Sequence, residues 1–318
     1  MVQSGLFPKN WIAANPQFAQ ALYFTNSGTS KYNSLQVQGT LRPTHGVTLQ
    51  GTYIWSKSMQ TPLVSFAAGN GLNTAQSYTN PVDRLKDYAL SPNQATHDFR
   101  TYGTFELPIG PGKMLLAKSH GVLARVVEGW QSSYIVNLST GQPGLISSSY
   151  VNASSGAASP TGLYGNAVPD IVGPFPRNGK VNWNGNFGSY LGSSFKSVSD
   201  PQCAAVATEL KSQCTLQAVS DASTGQILLQ NPKPGARGSL GLANLQLPGN
   251  WSFDASLSKS VHISESKSLQ LRFDSTNVLN HPVPSTPILN INGTTPFGSI
   301  QDKGTQRRFF KGSVRLTF

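Results

Sequence analysis

The last ten residues of the chain alternate without a break. Phe310, Gly312, Val314, Leu316 and Phe318 fall on one side of an extended backbone, and Phe309, Lys311, Ser313, Arg315 and Thr317 on the other. Side chains along a strand point to opposite faces in turn, so this spacing dictates a strand with one apolar and one polar face. Six further segments repeat the pattern over roughly ten residues each, the length of a tilted membrane-crossing strand. Leu35, Val37 and Leu41 oppose Gln36, Gln38, Thr40 and Arg42, and Val47, Leu49, Tyr53 and Trp55 oppose Thr48, Gln50, Thr52 and Ser56. Phe99, Phe105 and Leu107 oppose Arg100, Thr104 and Glu106, and Trp130, Tyr134, Val136 and Leu138 oppose Gln131, Ser133, Asn137 and Ser139. Trp251, Phe253, Ala255 and Leu257 oppose Ser252, Asp254, Ser256 and Ser258, while Leu269, Leu271 and Phe273 oppose Gln270, Arg272 and Asp274. A weaker strand candidate lies near Ala19–Thr25.

Composition agrees with an all-β, antiparallel fold. Only 12% of the 318 residues are charged, so helix-forming Glu and Lys are scarce, whereas Gly and Pro number 31 and 21 and punctuate hairpins. No stretch approaches the ~18 apolar residues a membrane-spanning helix requires. A transmembrane barrel needs no such run, because its alternating strands leave the mean hydropathy near that of a soluble protein, here −0.23. The net charge of +11 raises the question of nucleic acid. Its 24 basic residues are scattered, however, with no cluster denser than Arg307, Arg308 and Lys311, so no nucleic-acid partner is expected.

Alternation also describes a soluble sandwich with one wet face, so the connections must discriminate. They run short (43–46), long (about 59–96), intermediate (109–127), very long (142–249), short (262–266) and medium (281–304). Long connections thus share one side, as in an outer-membrane barrel with short periplasmic turns and long extracellular loops. This topology predicts a periplasmic Phe318. The tract 142–249 is rich in Gly, Ser, Asn and Pro and is expected to be a surface excursion with a short helix around Gln202–Gln213. Few large apolar residues argue against a separate folded domain there. Cys203 and Cys214, within that tract, fit a disulfide in an oxidising compartment better than a zinc site, which would need further ligands. Two unpaired thiols remain the alternative, since spacing alone does not set the Cα separation. Trp55, Trp130 and Trp251 stand near strand ends, where an interfacial girdle places aromatics; burial in a sandwich core is the other reading.

No catalytic or metal-binding constellation is present in the sequence. His45, His97, His120, His262 and His281 are dispersed, without the paired spacing of a metal site, and no nucleophile elbow occurs. No enzymatic activity and no cofactor are expected. Asp254, Arg272, Asp274 and Arg315 fall on polar faces, toward the interior of a barrel, where cross-strand pairing is the favoured role and contact with a plug the alternative.

Several ordered motifs carry a resemblance. Tyr32-Asn33-Ser34-Leu35-Gln36 is followed by His45-Gly46-Val47-Thr48-Leu49 and by Gly51-Thr52-Tyr53-Ile54-Trp55-Ser56-Lys57-Ser58. Then come Asp87-Tyr88-Ala89-Leu90-Ser91, His97, Phe105-Glu106-Leu107-Pro108-Ile109-Gly110, Gly129-Trp130-Gln131 and Ser139-Thr140-Gly141-Gln142-Pro143. Trp251 to Lys259, the stretch from Arg272 to Pro282, and the terminal strand complete the series. In this order they resemble the Oar-like group of TonB-dependent receptors over about residues 15 to 318. Two departures are Gln94, where the group usually carries an acid, and Asn277-Val278-Leu279-Asn280-His281 in place of Asn-Leu-Phe-Asn-His.

The resemblance implies transport across the outer membrane through a barrel of about 22 strands around a plug, energised by the TonB complex. On that basis 1–30 is an N-terminal segment and 31–318 is the C-terminal part of such a barrel, a piece of a longer product that is not transport-competent alone. Its implied partners are outer-membrane lipid against Phe310, Val314, Leu316 and Phe318, the plug and upstream strands, the insertion machinery through Phe318, and TonB only through a preceding part. A free-standing barrel that recruits 19–25 as an eighth strand and a secreted β-sandwich binding module are the alternatives.

Overall fold

A computed structural model of the chain describes residues 28–44, 46–61, 64–66, 75–77, 84–148, 168–233, 238–264, 267–304 and 306–318. The weak strand candidate near Ala19–Thr25 lies outside them. Seven long strands form one sheet: β1 (Thr29–Thr44), β2 (Val47–Thr61), β3 (His97–Glu106), β4 (Trp130–Ser139), β5 (Asn250–Ser264), β6 (Lys267–Thr276) and β7 (Phe309–Thr317). Their spatial order is their chain order, and each neighbouring pair is antiparallel. All seven alternating segments are therefore strands. β1, β2 and β5, with 16, 15 and 15 residues, run past the segments read from sequence; in β5 the alternation itself continues through Val261, the register partner of Leu269, and Ile263.

The register keeps the two faces apart across the whole sheet. Val37 pairs with Tyr53, Tyr53 with Phe99, Phe99 with Leu138 and Leu138 with Trp251. Further along, Leu257 pairs with Phe273 and Phe273 with Gly312. Directly paired residues share a face, so one side is a continuous apolar surface from β1 to β7. A slip of one residue anywhere would break it. Two glycines fix local geometry. Gly46 adopts φ +76° in the β1–β2 turn, a conformation that costs glycine little. At Gly103 a Cβ would stand 2.5 Å from the Thr48 carbonyl oxygen and 3.0 Å from the ring of Tyr134, its register partner, so the ring occupies the space a side chain would take.

No second sheet covers the apolar face among the described residues. Leu35, Val37, Trp55, Phe273, Val314 and Leu316 remain 53–71% exposed, which removes the sandwich reading: a sandwich buries that face against another sheet. Trp55 and Trp251 stand at one end of it and Trp130 at the other, by their register partners Leu35, Leu138 and Lys259. Interfacial girdles have this arrangement.

The expectation for 142–249 needs correction. Described parts of this tract fold with the 281–304 connection into a cap that has its own core. Ile146, Tyr190, Leu191, Val219, Leu229 and Leu245 pack with Leu289, Ile291, Phe297 and Ile300. Phe195–Ser199, Gln217–Asp221, Ile227–Gln230 and Asp170–Ile171 make a four-stranded sheet, and Ser299–Ile300 joins Asn182–Asn184 and Phe187–Ser189 in another. The tract 142–249 supplies most of these residues, spread without a period over short strands and turns, and the 281–304 connection completes the core. The helix expected around Gln202–Gln213 is two 3-10 turns, Pro201–Ala205 and Thr208–Gln213. The bond between Cys203 and Cys214 links them. The connection between β3 and β4, read from sequence as a plain intermediate loop, contains helix α1 (Gly121–Val127).

Candidate functional site

The polar face of the sheet, at the end nearest the cap, forms an open cleft of about 650 Å³. β1 supplies Tyr32, β2 Ser56, β3 Asp98, Arg100 and Tyr102, and β4 Asn137 and Ser139, while Gln94 and Gln142 enter from the adjoining loops. Alternation places every one of these strand residues on the polar side, so a strand edge or slip is not needed to expose them. Arg100 holds Asp98 through two hydrogen bonds, Nε to Oδ1 at 2.8 Å and a terminal nitrogen to Oδ2 at 3.0 Å. Such bidentate pairs fix the guanidinium plane. Tyr102 donates to Gln50 Oε1 at 2.7 Å, and Gln94 donates to Ser56 Oγ at 2.8 Å. Gln94, the departure from the acid of the resembled group, here ties its loop to β2. The cleft thus presents neutral donors and acceptors beside one pre-formed ion pair, an arrangement for recognising a polar ligand; it holds no nucleophile–base pair among the described residues.

A second cleft, also of about 650 Å³, lies between the cap and the upper apolar face. Tyr53, His97, Phe99, Leu138 and Trp251 form its sheet side, and Lys180, Val181, Trp183 and Tyr190 its cap side. The Tyr53 hydroxyl and His97 Nδ1 are 2.8 Å apart, and His281 packs on Trp251 with ring centroids 4.0 Å apart. Burial lowers the pKa of His281, so its ring stays neutral to a lower pH than an ordinary histidine. Lys303 Nζ lies 5.6 Å from the ring of Trp183.

The Asn277–His281 motif proves to be a fastening. Asn277 has φ +46° and is 4% exposed. Its Nδ2 donates to the carbonyls of His281 and Gln306, both at 2.8 Å, and its Oδ1 accepts from His281 N. One side chain therefore closes the 281–304 connection at both ends, directly above β6 and β7.

The sequence-selected residues fall into three places. Phe310, Val314 and Leu316 lie on the apolar face, and Phe318 follows them beyond β7; all are strongly exposed. Arg272, Asp274, Asp254 and Arg315 lie on the polar face, but they are not brought together as cross-strand pairs. Arg272 Nε donates to Asp274 Oδ1 at 2.7 Å along a single strand, because residues two apart share a face and the guanidinium reaches its neighbour before the next strand. Asp254 instead accepts from Asn277 N at 2.7 Å, capping the chain as it leaves β6. Cys203 and Cys214 are in the cap, away from either face. Sequence reading missed Asp200, whose 1% exposed carboxylate accepts from Gln202 N, Asn231 N and Asn231 Nδ2, each at 2.8 Å. The Asp200-Pro201 step at the start of a turn was the available signal.

No group of three or more potential metal ligands converges among the described residues. No curated protein and no solved structure gives a significant match to the chain. A family model described as an outer membrane beta barrel domain matches residues 5–311. With seven meandering strands and an uncovered apolar face already established, the chain belongs to the outer-membrane β-barrel domain family, and its location is the outer membrane.

Proposed function

We propose that this chain forms part of the wall and the extracellular cap of a TonB-dependent receptor of the Oar-like kind, with the polar-face cleft turned toward the lumen and its ligand. The observation that carries this reading is the open sheet. Among the described residues β1 and β7 are not paired with each other, yet a strand edge in hydrocarbon leaves N–H and C=O groups unsatisfied at several kcal/mol each. Further strands must therefore complete the barrel, and the ordered motifs of the resemblance supply a family in which they exist. In this reading Phe310, Val314, Leu316 and Phe318 face lipid, and Phe318 is the signal for the insertion machinery. Arg272, Asp274, Asp254 and Arg315 face the lumen and a plug. In this reading the chain supplies wall and ligand-facing loops to a larger transporter and performs no bond chemistry.

The test is a cross-link in the complete gene product, in outer membranes. Cysteines replacing Gln36 on β1 and Ser313 on β7 are treated with a short bifunctional maleimide. A receptor-sized barrel keeps these strands apart and gives no intramolecular product, whereas a small closed barrel puts β1 beside β7 and gives one. Ligand-dependent uptake that persists after deletion of the TonB complex would overturn the energised-receptor reading independently.

A further inference from the structure

We infer that the connection between β3 and β4 is a second membrane-contacting element, a short amphipathic segment lying in the periplasmic-side lipid interface. The inference rests on the apolar face of the sheet being the lipid face. Three observations carry it.

The first is exposure. Met114, Leu115 and Leu116, then Val122, Leu123 and Val126 of α1, are 50–81% exposed. At 100° per residue, Val122, Val126 and Leu123 form one continuous arc of α1, and Ala124 and Val127, both half-buried, lie beside it toward the protein. Six large apolar side chains gathered in one short connection are far from the scattered exposure that needs no explanation.

The second is position. Lys259 lies on the apolar face of β5, opposite Trp130, and is nevertheless only 6% exposed. The segment leaving α1 covers it. Lys259 Nζ donates to the Glu128 carbonyl oxygen and sits 5.3 Å from the centroid of the Trp130 ring. Trp130 Nε1 in turn donates to the Val126 carbonyl oxygen at 3.0 Å. The C-terminal end of α1 is therefore fastened on the apolar side of the sheet, so its exposed arc continues the surface that already meets hydrocarbon. A lysine on that face is also explained, since its charge is spent on a helix-end carbonyl and an aromatic ring and is screened from lipid.

The third is charge. Between residues 107 and 129 the basic side chains are Lys113, Lys118 and Arg125, against Glu128 as the one acid. Arg125 pairs with Glu128 and Lys113 with Glu106, each at 3.0 Å. Lys118, exposed between the two apolar groups, is positioned for an anionic headgroup. An apolar arc with a basic flank is the feature of an interfacial segment that enters roughly 5–10 Å into the headgroup and acyl boundary.

The experiment places nitroxide labels on single cysteines replacing Val122, Val126, Lys118 and Val314 in the complete protein. It is reconstituted into vesicles of phosphatidylethanolamine with phosphatidylglycerol, and accessibility to oxygen and to a water-soluble nickel chelate is compared. Expected are oxygen-rich signals at 122 and 126, shallower than at 314, and a chelate-accessible signal at 118. Lipid contact at 314 with full chelate access at 122 and 126 overturns this inference and leaves the barrel reading intact. Exclusion of both reagents at 122 and 126 also overturns it, in favour of a protein partner on the arc. Chelate access at 314 removes the lipid face itself, and the inference with it.

Discussion

The wall and the cap solve opposite problems with the same residue types. In the cap, Val219, Leu229, Ile291 and Ile300 are fully buried, and short strands from two distant connections meet around them. In the wall, Val37, Phe273, Val314 and Leu316 stay more than half exposed, although their strands run 16, 10 and 9 residues against 5, 4 and 2 in the cap strands of Val219, Leu229 and Ile300. A water-exposed module must supply both halves of its core from its own chain. A barrel wall supplies one half and takes the other from the bilayer. The difference shows why one apolar pattern is periodic and the other is not: the bilayer requires strict alternation over a fixed height, whereas a mixed core requires only that its members meet.

The largest effect should come from the cap. Leu229→Ala removes a side chain with 0% exposure and should destabilise the cap by about 2–5 kcal/mol. The wall has no packing at that position, so heat-modifiable, membrane-inserted protein should be unchanged while surface protease cuts the cap faster. Loss of insertion together with cap stability would mean that the two regions fold as one unit.

A slightly smaller effect reverses the roles. Val314→Lys sets a charge against hydrocarbon at about 2–4 kcal/mol if the site is near the midplane. Ser313→Lys, one residue away, joins a polar face that already holds Lys311 and Arg315. Insertion should fall for the first variant and hold for the second, with cap proteolysis unaltered in the protein that does insert. Equal insertion of the two would break the distinction between the faces of β7.

These two regions were also unequally legible. The wall could be read from residues, because each strand states its own face: the alternation of Phe310 to Phe318 requires no knowledge of any other strand. The cap could not, because Leu229 and Ile291 come from tracts separated by β5 and β6, and only the folded chain shows that they share a core. For the candidate site, alternation identified the polar side of Arg272, Asp274 and Asp254 but not their partners. Reach along the strand decided the Arg272–Asp274 pair, and the positive-φ turn at Asn277 decided that of Asp254. Helix α1 escaped notice since seven residues, the first of them a glycine, carry little periodic signal.

The disulfide sharpens the comparison from the covalent side. It joins residues 11 apart in sequence, and a loop that short constrains the unfolded chain by ~3 kcal/mol at most. Reduction should loosen the turns at Pro201–Ala205 and Thr208–Gln213 and leave the wall unchanged. Alkylation of outer-membrane material before and after reductant measures it, with labelling of Cys203 and Cys214 expected only after reduction.

The smallest effect is electrostatic and belongs to the exposed tip of the cap. Asp221 ends the strand Gln217–Asp221, and its Oδ1 accepts from Ser223 N at 2.8 Å, Ser223 Oγ at 2.5 Å and Thr224 N at 2.8 Å. The bonds from Ser223 and Thr224 hold the carboxyl down to a pKa of about 2. A carboxylate lowered in the folded state adds stability that is fully present above its unfolded pKa and is lost as pH falls through the folded one. The turn before Ile227–Gln230 should therefore hold above about pH 4 and loosen as pH approaches 2. Asp221→Asn retains an acceptor oxygen without the charge, so the variant should show faster amide exchange at Ser223 and Thr224 than the parent at pH 6, with the gap closing toward pH 2. The wall provides the internal control: exchange in β4 and β5 should not respond to this substitution at either pH. A gap that persists unchanged at pH 2 would assign the turn to hydrogen-bond geometry alone and remove the charge from the account.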